Sequence, residues 1–194
     1  MKTFDPALHA DSLRSERAYQ LQPSLDPAFT PHLGALVEML TYTRLTTLQA
    51  VDDLPEAALW QTAPGFSNSI GTLLAHIAAV ERTYHVLSFE GRDVTPEQDG
   101  AVYWGLTMGQ EGTPPSRLPT LDELRAELAA ARAETLRVFA TRDDDWLNGP
   151  LTGGWANQHW AWFHVMEDEV SHRGQMRLLR QVVAPKENPP GERT

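Results

Sequence analysis

The fold of this chain is constrained most by apolar residues at helical spacing, a pattern that recurs in four separate segments. These segments begin near residues 30, 67, 120 and 156 and end near residues 51, 91, 142 and 183. None of them shows the sustained alternation of apolar and polar residues that is typical of a strand. We therefore predict an all-α protein, a four-helix bundle. An irregular all-α domain is the alternative.

The residue types at the ends of these segments agree with the predicted helices. Thr30 and Pro31 combine a capping residue with a proline, which suits the first turn of a helix. Thr120 and Glu123 have the spacing of a capping box, in which each side chain bonds the backbone of the other residue. Pro185 marks the end of the fourth segment, because proline cannot continue a helix.

Three regions are predicted along the chain. Residues 30–184 form the bundle domain, preceded by an N-terminal arm at residues 1–29 and followed by a C-terminal tail at residues 185–194. The second and third helices are joined by a long loop at residues 91–119. A loop of this length either contributes to function or merely wraps the domain, and the sequence leaves both open.

Composition excludes several classes of function. The 194-residue chain has a formal net charge of −10, which argues against nucleic acid as a partner, since phosphate binding needs clustered cations. The chain has no cysteine, so it offers neither a thiolate nucleophile nor a cysteine-based metal site. Its only lysines, Lys2 and Lys186, lie in predicted termini and leave no residue for Schiff-base chemistry.

Targeting signals are not evident in the sequence. The first residues lack the apolar core of a signal peptide, and no apolar run is long enough to cross a bilayer. We therefore expect a soluble cytoplasmic protein that does not act in a membrane.

The fourth predicted helix places a carboxylate and an imidazole on one stripe. Asp168 and His172 are four residues apart, so their side chains point the same way and can close on one metal ion. The stripe continues to Trp160 on one side and to Leu179 on the other, which puts the pair in an apolar seam. A metal ion would remove the cost of burying these polar groups.

The second predicted helix offers two candidates for a third ligand. His76 and His85 are nine residues apart and project from opposite sides, so only one of them can face the core. His76 lies among apolar residues, whereas we interpret His85, beside Glu81 and Arg82, as part of a surface set. His76 is therefore the predicted ligand, although a lone core histidine is more often a hydrogen-bonded structural residue.

The remaining histidines are interpreted differently. His164 lies about 12 Å from His172 along the helix axis, too far to share one ion. His9 and His32 lie at or before the start of the first predicted helix, and His159 begins the fourth. All three are expected to be solvated or capping residues.

His76, Asp168 and His172 together make a set of two imidazoles and one carboxylate. Zinc and nickel suit such a set best, and iron and manganese also tolerate it. Three protein ligands leave open positions, which suits catalysis better than a purely structural role. Glu169 and His172 form a Glu-x-x-His pattern, but a ferritin-like centre needs a second copy, which is absent, as is a metalloprotease His-Glu-x-x-His pattern.

Parts of the sequence resemble the DinB-like superfamily. The matching strings are LPEAALW at residues 54–60, SIGTLLAHIAAVE at residues 69–81 and HRGQ at residues 172–175, which is the end of the His-x-x-x-His-Arg-Gly-Gln signature. The resemblance covers roughly residues 30–183 and implies an up-down-down-up bundle, commonly a homodimer. It also implies a divalent metal held by a histidine of the second helix and a pair of residues on the fourth.

Carried over by position, the resemblance assigns His76 and His172 as two of these ligands. Asp168 departs from the common pattern, which has a histidine there, although some branches carry a carboxylate. Because aspartate has a shorter side chain, an ion would lie nearer the fourth helix or bind more weakly.

Three classes of function follow. Characterised relatives include thiol S-transferases that use bacillithiol or mycothiol, and a maleylpyruvate isomerase. The first hypothesis is therefore a metal-dependent thiol S-transferase, in which a low-molecular-weight thiol attacks a small electrophilic substrate. The second is a metal-dependent hydrolase or isomerase that activates water. The third is a non-catalytic stress-response binding module with a vestigial metal site.

Overall fold

The structure is a computed structural model that describes residues 26–185, and these residues are predominantly helical. They form a π-helical turn at Val86–Glu90 and the following α-helices: α1 (Pro31–Ala50), α2 (Glu56–Leu59), α3 (Ile70–His85), α4 (Gly100–Leu106), α5 (Leu121–Phe139), α6 (Asp144–Asn148) and α7 (Gln158–Val183). The predicted all-α fold is confirmed. Within the described range, no helix has the length and apolar character that a bilayer span requires.

Capping residues determine where the long helices begin. Pro31 occupies the first turn of α1, and the hydroxyl of Ser69 accepts a hydrogen bond from a backbone N–H in the first turn of α3. Thr120 and Glu123 form both halves of the predicted capping box at the start of α5. The side chain of Asn157 caps α7 in the same way. These contacts satisfy backbone donors that a helix leaves unpaired at its N-terminus.

The four long helices pack as a bundle, in which α1 contacts α5 and α7, and α3 contacts the same two helices. Two hydrogen bonds show that α1 and α7 run in the same direction. Arg173 bonds the hydroxyl of Thr46, and Arg180 bonds the carbonyl of Ala50 2.9 Å away. The later residue of α1, Ala50, thus meets the later residue of α7, Arg180, as expected of parallel helices.

Two apolar clusters fill the bundle, one toward each end. The first includes Leu73 and Leu128, and the second is built around Phe139 and Trp162, all of them nearly or fully inaccessible to solvent. Phe29, from the region predicted as the N-terminal arm, packs in the second cluster. The arm and tail predictions otherwise fall on residues 1–25 and 186–194, outside the described residues.

A buried layer of charge separates the two clusters. Arg44 of α1 lies 2.8 Å from Glu81 of α3 and 2.9 Å from Glu169 of α7. Arg132 of α5 lies 2.8 Å from Glu81 and 3.6 Å from Glu169. Two positive and two negative groups thus compensate one another, as buried charges must. Burial alone would raise the pKa of Glu81, but Arg132 and Arg44 outweigh it and hold that pKa well below its usual range. We call these four residues the buried charge network.

The network overturns one sequence-based expectation. His85 and Glu81, interpreted as surface residues, are both buried. The ring of His85 stacks on Phe89, and its Nε2 lies 2.8 Å from the hydroxyl of Thr135, which itself donates to Glu81. The polar neighbours of His85 in the sequence suggested a surface position. The helix α3 packs against α4, α5 and α7, however, so that it buries side chains on several sides.

Burial of His85 predicts a loss of stability in mild acid. Burial lowers its pKa from 6.5 to about 4. Below pH 6.5 His85 is therefore protonated in the unfolded chain while it stays neutral in the folded chain. The free energy of unfolding falls as the pH drops toward 4. The gap between these pKa values corresponds to at most ~3 kcal/mol.

The measurement is urea unfolding of the wild type and of His85→Gln between pH 4 and pH 7. Glutamine can still donate to Thr135 but does not titrate, so the stability difference between the two proteins should shrink or reverse as the pH falls. Other titrating groups are common to both proteins. A difference that does not change with pH would contradict the prediction.

The long connection at residues 91–119 is not a simple loop. It contains α4, which packs closely against α3. Gly91, which ends the preceding π-helical turn, has a φ of 70°, a conformation that glycine adopts without strain. The connection thus adds a further helix beside the bundle.

Candidate metal centre

The three side chains predicted as metal ligands lie together in the structure. His76 projects from α3, and Asp168 and His172 project from α7 one turn apart. The Nε2 atoms of His76 and His172 lie 3.6 Å and 3.3 Å from the same atom, Oδ1 of Asp168. One potential ligand atom from each residue lies within 4.8 Å of the other two. We call these three residues the triad.

The triad forms because α3 and α7 run in opposite directions. His76, near the start of α3, meets His172 in the second half of α7, with ring centroids 4.8 Å apart. Tyr84, near the end of α3, meets His164 in the first half of α7, with ring centroids 6.0 Å apart. The inward direction predicted for His76 is confirmed, since its side chain is buried against α7.

The two spacings between Asp168 and the histidines suit a tetrahedral divalent ion. Bonds of about 2.1 Å to such an ion place neighbouring ligand atoms about 3.4 Å apart. The two distances from Oδ1 of Asp168, 3.6 Å and 3.3 Å, lie on either side of that value. Oδ2 of Asp168 is buried and has no hydrogen-bond partner among the described residues. The residues present therefore fit a divalent metal.

Each histidine of the triad is oriented by a contact at its other ring nitrogen. Nδ1 of His76 lies 3.1 Å from the carbonyl oxygen of Gly105, and Nδ1 of His172 lies 3.3 Å from the side-chain oxygen of Gln175. Both oxygens can only accept, so each Nδ1 carries the proton and donates it. In its neutral form each ring then keeps a lone pair at Nε2, available to a metal ion between it and Asp168, the arrangement by which second contacts orient metal-binding histidines.

Electrostatics in the triad favour a cation. Burial would raise the pKa of Asp168, but His172 and His76 outweigh it and hold that pKa well below its usual range. Burial lowers the pKa of His172, and Asp168 more than compensates, so that the pKa is raised overall. Asp168 is thus a partly buried anion that needs positive charge beside it, which either a metal ion or a protonated histidine supplies.

Gly105 brings the connecting helix α4 directly to the triad. A Cβ atom at this position would lie 2.6 Å from Cβ of Ala79 and 3.0 Å from the carbonyl oxygen of Ala75, both on α3. Only glycine lets the two backbones approach closely enough for its carbonyl to reach His76. The residues 91–119 therefore contribute a contact to the site.

Gly105→Ala is expected to weaken divalent-metal binding by about tenfold or more, because α4 must move away and His76 loses its orienting acceptor. Metal titration by calorimetry measures this change. Gly174→Ala is the matched control, since a Cβ there meets no atom within 4 Å. That variant should gain about 0.5–1 kcal/mol of stability and keep its metal affinity. Equal affinity in both variants would refute a role for Gly105.

The other described histidines lie outside the triad. His164 stacks on Trp160 with ring centroids 5.0 Å apart and lies 3.4 Å from Glu167. His32 pairs with Asp144 at 3.2 Å, and its ring is 71% exposed. His159 is exposed, and His9 lies outside the described residues.

Sequence reasoning missed two residues that support the site. Gln175 was visible as the last residue of the His-Arg-Gly-Gln string, three residues after His172, a spacing at which helical side chains meet. Gly105 gave no comparable signal, because its contact with His76 joins two separate helices across a long connection.

Comparison with known proteins identifies a matching family. A family model described as Mycothiol-S-transferase matches residues 35–185, a range that includes the whole triad. No curated protein matches the chain.

Proposed function

The chain belongs to the mycothiol S-transferase family, a DinB-like family, and we propose that it is a metal-dependent thiol S-transferase. The triad is the observation that carries this proposal, because it fits a divalent ion and leaves positions open for a further ligand. The absence of cysteine agrees with a borrowed thiol, since the chain has no sulfur nucleophile of its own. The substrate is then a small electrophile.

Each residue of the triad has a distinct role in this proposal. His76 and His172 would bind the metal as neutral ligands, held in place by Gly105 and Gln175. Asp168 would neutralise one of the two positive charges of the ion. When bound, the metal supplies the remaining positive charge, which lowers the pKa of a thiol so that thiolate is present at neutral pH.

The donor set limits the identity of the metal. Two imidazole nitrogens and one carboxylate oxygen suit zinc and nickel, and iron and manganese also accept them. We propose zinc or nickel. A homodimer, a cytoplasmic location and a role in stress response stay predictions.

The proposed activity predicts transfer of mycothiol to an electrophile by metal-loaded protein. The assay combines protein loaded with zinc or nickel, 1-chloro-2,4-dinitrobenzene, and one of three thiols, namely mycothiol, bacillithiol or glutathione. We expect the fastest transfer with mycothiol and loss of that rate when a chelator strips the metal. The thioether product and the free chloride are measured.

The other outcomes separate the alternatives. Bound metal without transfer from any thiol would overturn the proposal, and ester hydrolysis by the same sample would favour the hydrolase hypothesis. Protein that takes up no metal on titration would favour a non-catalytic binding module.

A further inference from the structure

Tyr84 faces α7 from α3, as His76 does, but two helical turns further along the chain. Its ring meets α7 beside Trp162 and His164, with centroids 6.3 Å and 6.0 Å away. A long side chain on a helix leans toward the N-terminus of that helix. Because α3 and α7 are antiparallel, this lean should carry the hydroxyl of Tyr84 away from His164 and toward Asp168.

Among the described residues, the hydroxyl of Tyr84 has no hydrogen-bond partner. The residue is only 6% exposed. Its hydroxyl oxygen is not one of the fully buried unpaired atoms of the range 26–185, so it keeps contact with solvent. Phenylalanine would fill the same space beside Trp162. Packing therefore explains the ring, whereas the accessible hydroxyl is free to donate a hydrogen bond to a ligand in the site.

Asp168 supports this assignment. Burial and the negative charge of Asp168 both act to raise the pKa of Tyr84, and the second effect agrees with a hydroxyl that lies near the triad. Even with its ordinary pKa of about 10, a tyrosine hydroxyl keeps its proton at neutral pH. A neutral phenol beside the triad can donate one hydrogen bond to an oxygen atom that acquires negative charge.

We propose, building on the proposed thiol transfer, that Tyr84 is a catalytic residue whose hydroxyl bonds the oxygen of an epoxide substrate as the ring opens. The thiolate sulfur forms a bond to an epoxide carbon, and the carbon–oxygen bond breaks with its electron pair moving to oxygen. The hydrogen bond from Tyr84 stabilises that oxygen as its charge develops. Water then supplies one proton to the alkoxide, which balances the proton lost when the thiol became thiolate.

Tyr84→Phe tests this role with two electrophiles, because they place the developing charge differently. Zinc-loaded protein is assayed with mycothiol and either styrene oxide or iodoacetamide. With styrene oxide, kcat should fall about one hundredfold while KM changes little. With iodoacetamide the rate should be nearly unchanged. The negative charge then develops on the departing iodide, which is a weak hydrogen-bond acceptor.

The controls distinguish a catalytic role from a structural one. Zinc content and melting temperature should match the wild type, because the lost hydroxyl has no partner in the described structure. Tyr42→Phe removes a hydroxyl from α1 and should leave both rates unchanged. Equal losses with both electrophiles, or a loss of zinc, would overturn the inference. Absence of transfer by the wild type with either electrophile would overturn the proposed function, and this inference with it.

Discussion

Replacement of His172 by alanine is expected to reduce divalent-metal affinity by more than about one hundredfold and to abolish thiol transfer. Loss of an orienting contact alone costs about 10- to 100-fold, and a direct ligand contributes more. Only His76 and Asp168 would remain, and two ligands hold a divalent ion poorly. The measurements are elemental analysis of protein purified without chelators, and competition with a chromophoric chelator.

His164→Ala is the matched control for this prediction. It removes the same side chain from the same helix, but His164 lies outside the triad, so metal affinity should be retained. Asp168→Asn adds a second arm, because it keeps the shape of the side chain and removes only its charge. Metal affinity should fall while the ion-free protein stays folded. Unchanged affinity in Asp168→Asn would remove that residue from the site, and unchanged affinity in His172→Ala would refute the metal centre.

Arg44→Met is expected to destabilise the bundle by about 3–5 kcal/mol, since it leaves the buried carboxylate of Glu169 without its closest cation. Arg44 is the closest cation to Glu169, at 2.9 Å, and it also donates to the carbonyl of Leu128. In its absence Arg132, 3.6 Å from Glu169, must serve both glutamates. Urea unfolding at pH 7 measures the loss.

An exposed ion pair provides the comparison for Arg44→Met. Arg137 pairs with Glu134 on the surface of α5, and its side chain is 67% exposed. Arg137→Met should therefore cost less than about 1 kcal/mol. Combining Arg44→Met with Glu169→Gln should restore part of the loss, because the unpaired charge is removed as well. A loss in Arg44→Met no larger than that in Arg137→Met would show that the network does not hold the helices together.

Local signals in the sequence predicted the helices well. The start of α1 at Pro31 and the capping box of Thr120 and Glu123 depend on residues within a few positions of one another. The partnership of Asp168 with His172 likewise depends on one turn of a single helix. Such features are visible in a sequence because the chain itself fixes the distances involved.

Contacts between distant segments could not be predicted in the same way. Arg44 and Glu169 are 125 positions apart, and in a sequence each resembles an ordinary surface charge. Their burial becomes favourable only once four helices bring opposite charges together, so composition and periodicity give no sign of it. The same reason explains why Glu81 and His85 were placed on the surface, and why the approach of α4 to His76 was missed.

Asp168 and Glu169 are consecutive residues of α7, about 100° apart around its axis, and they face different partners. Asp168 turns toward His76 of α3, whereas Glu169 is tied to Arg44 of α1. These two attachments, both made by protein side chains alone, fix the rotation of α7 about its own axis. We therefore expect the fold to form without a metal, in contrast to a zinc finger. One ion should then be exchangeable for another without unfolding, so that the supply of metals around the protein, rather than the folding of the chain, selects the occupant.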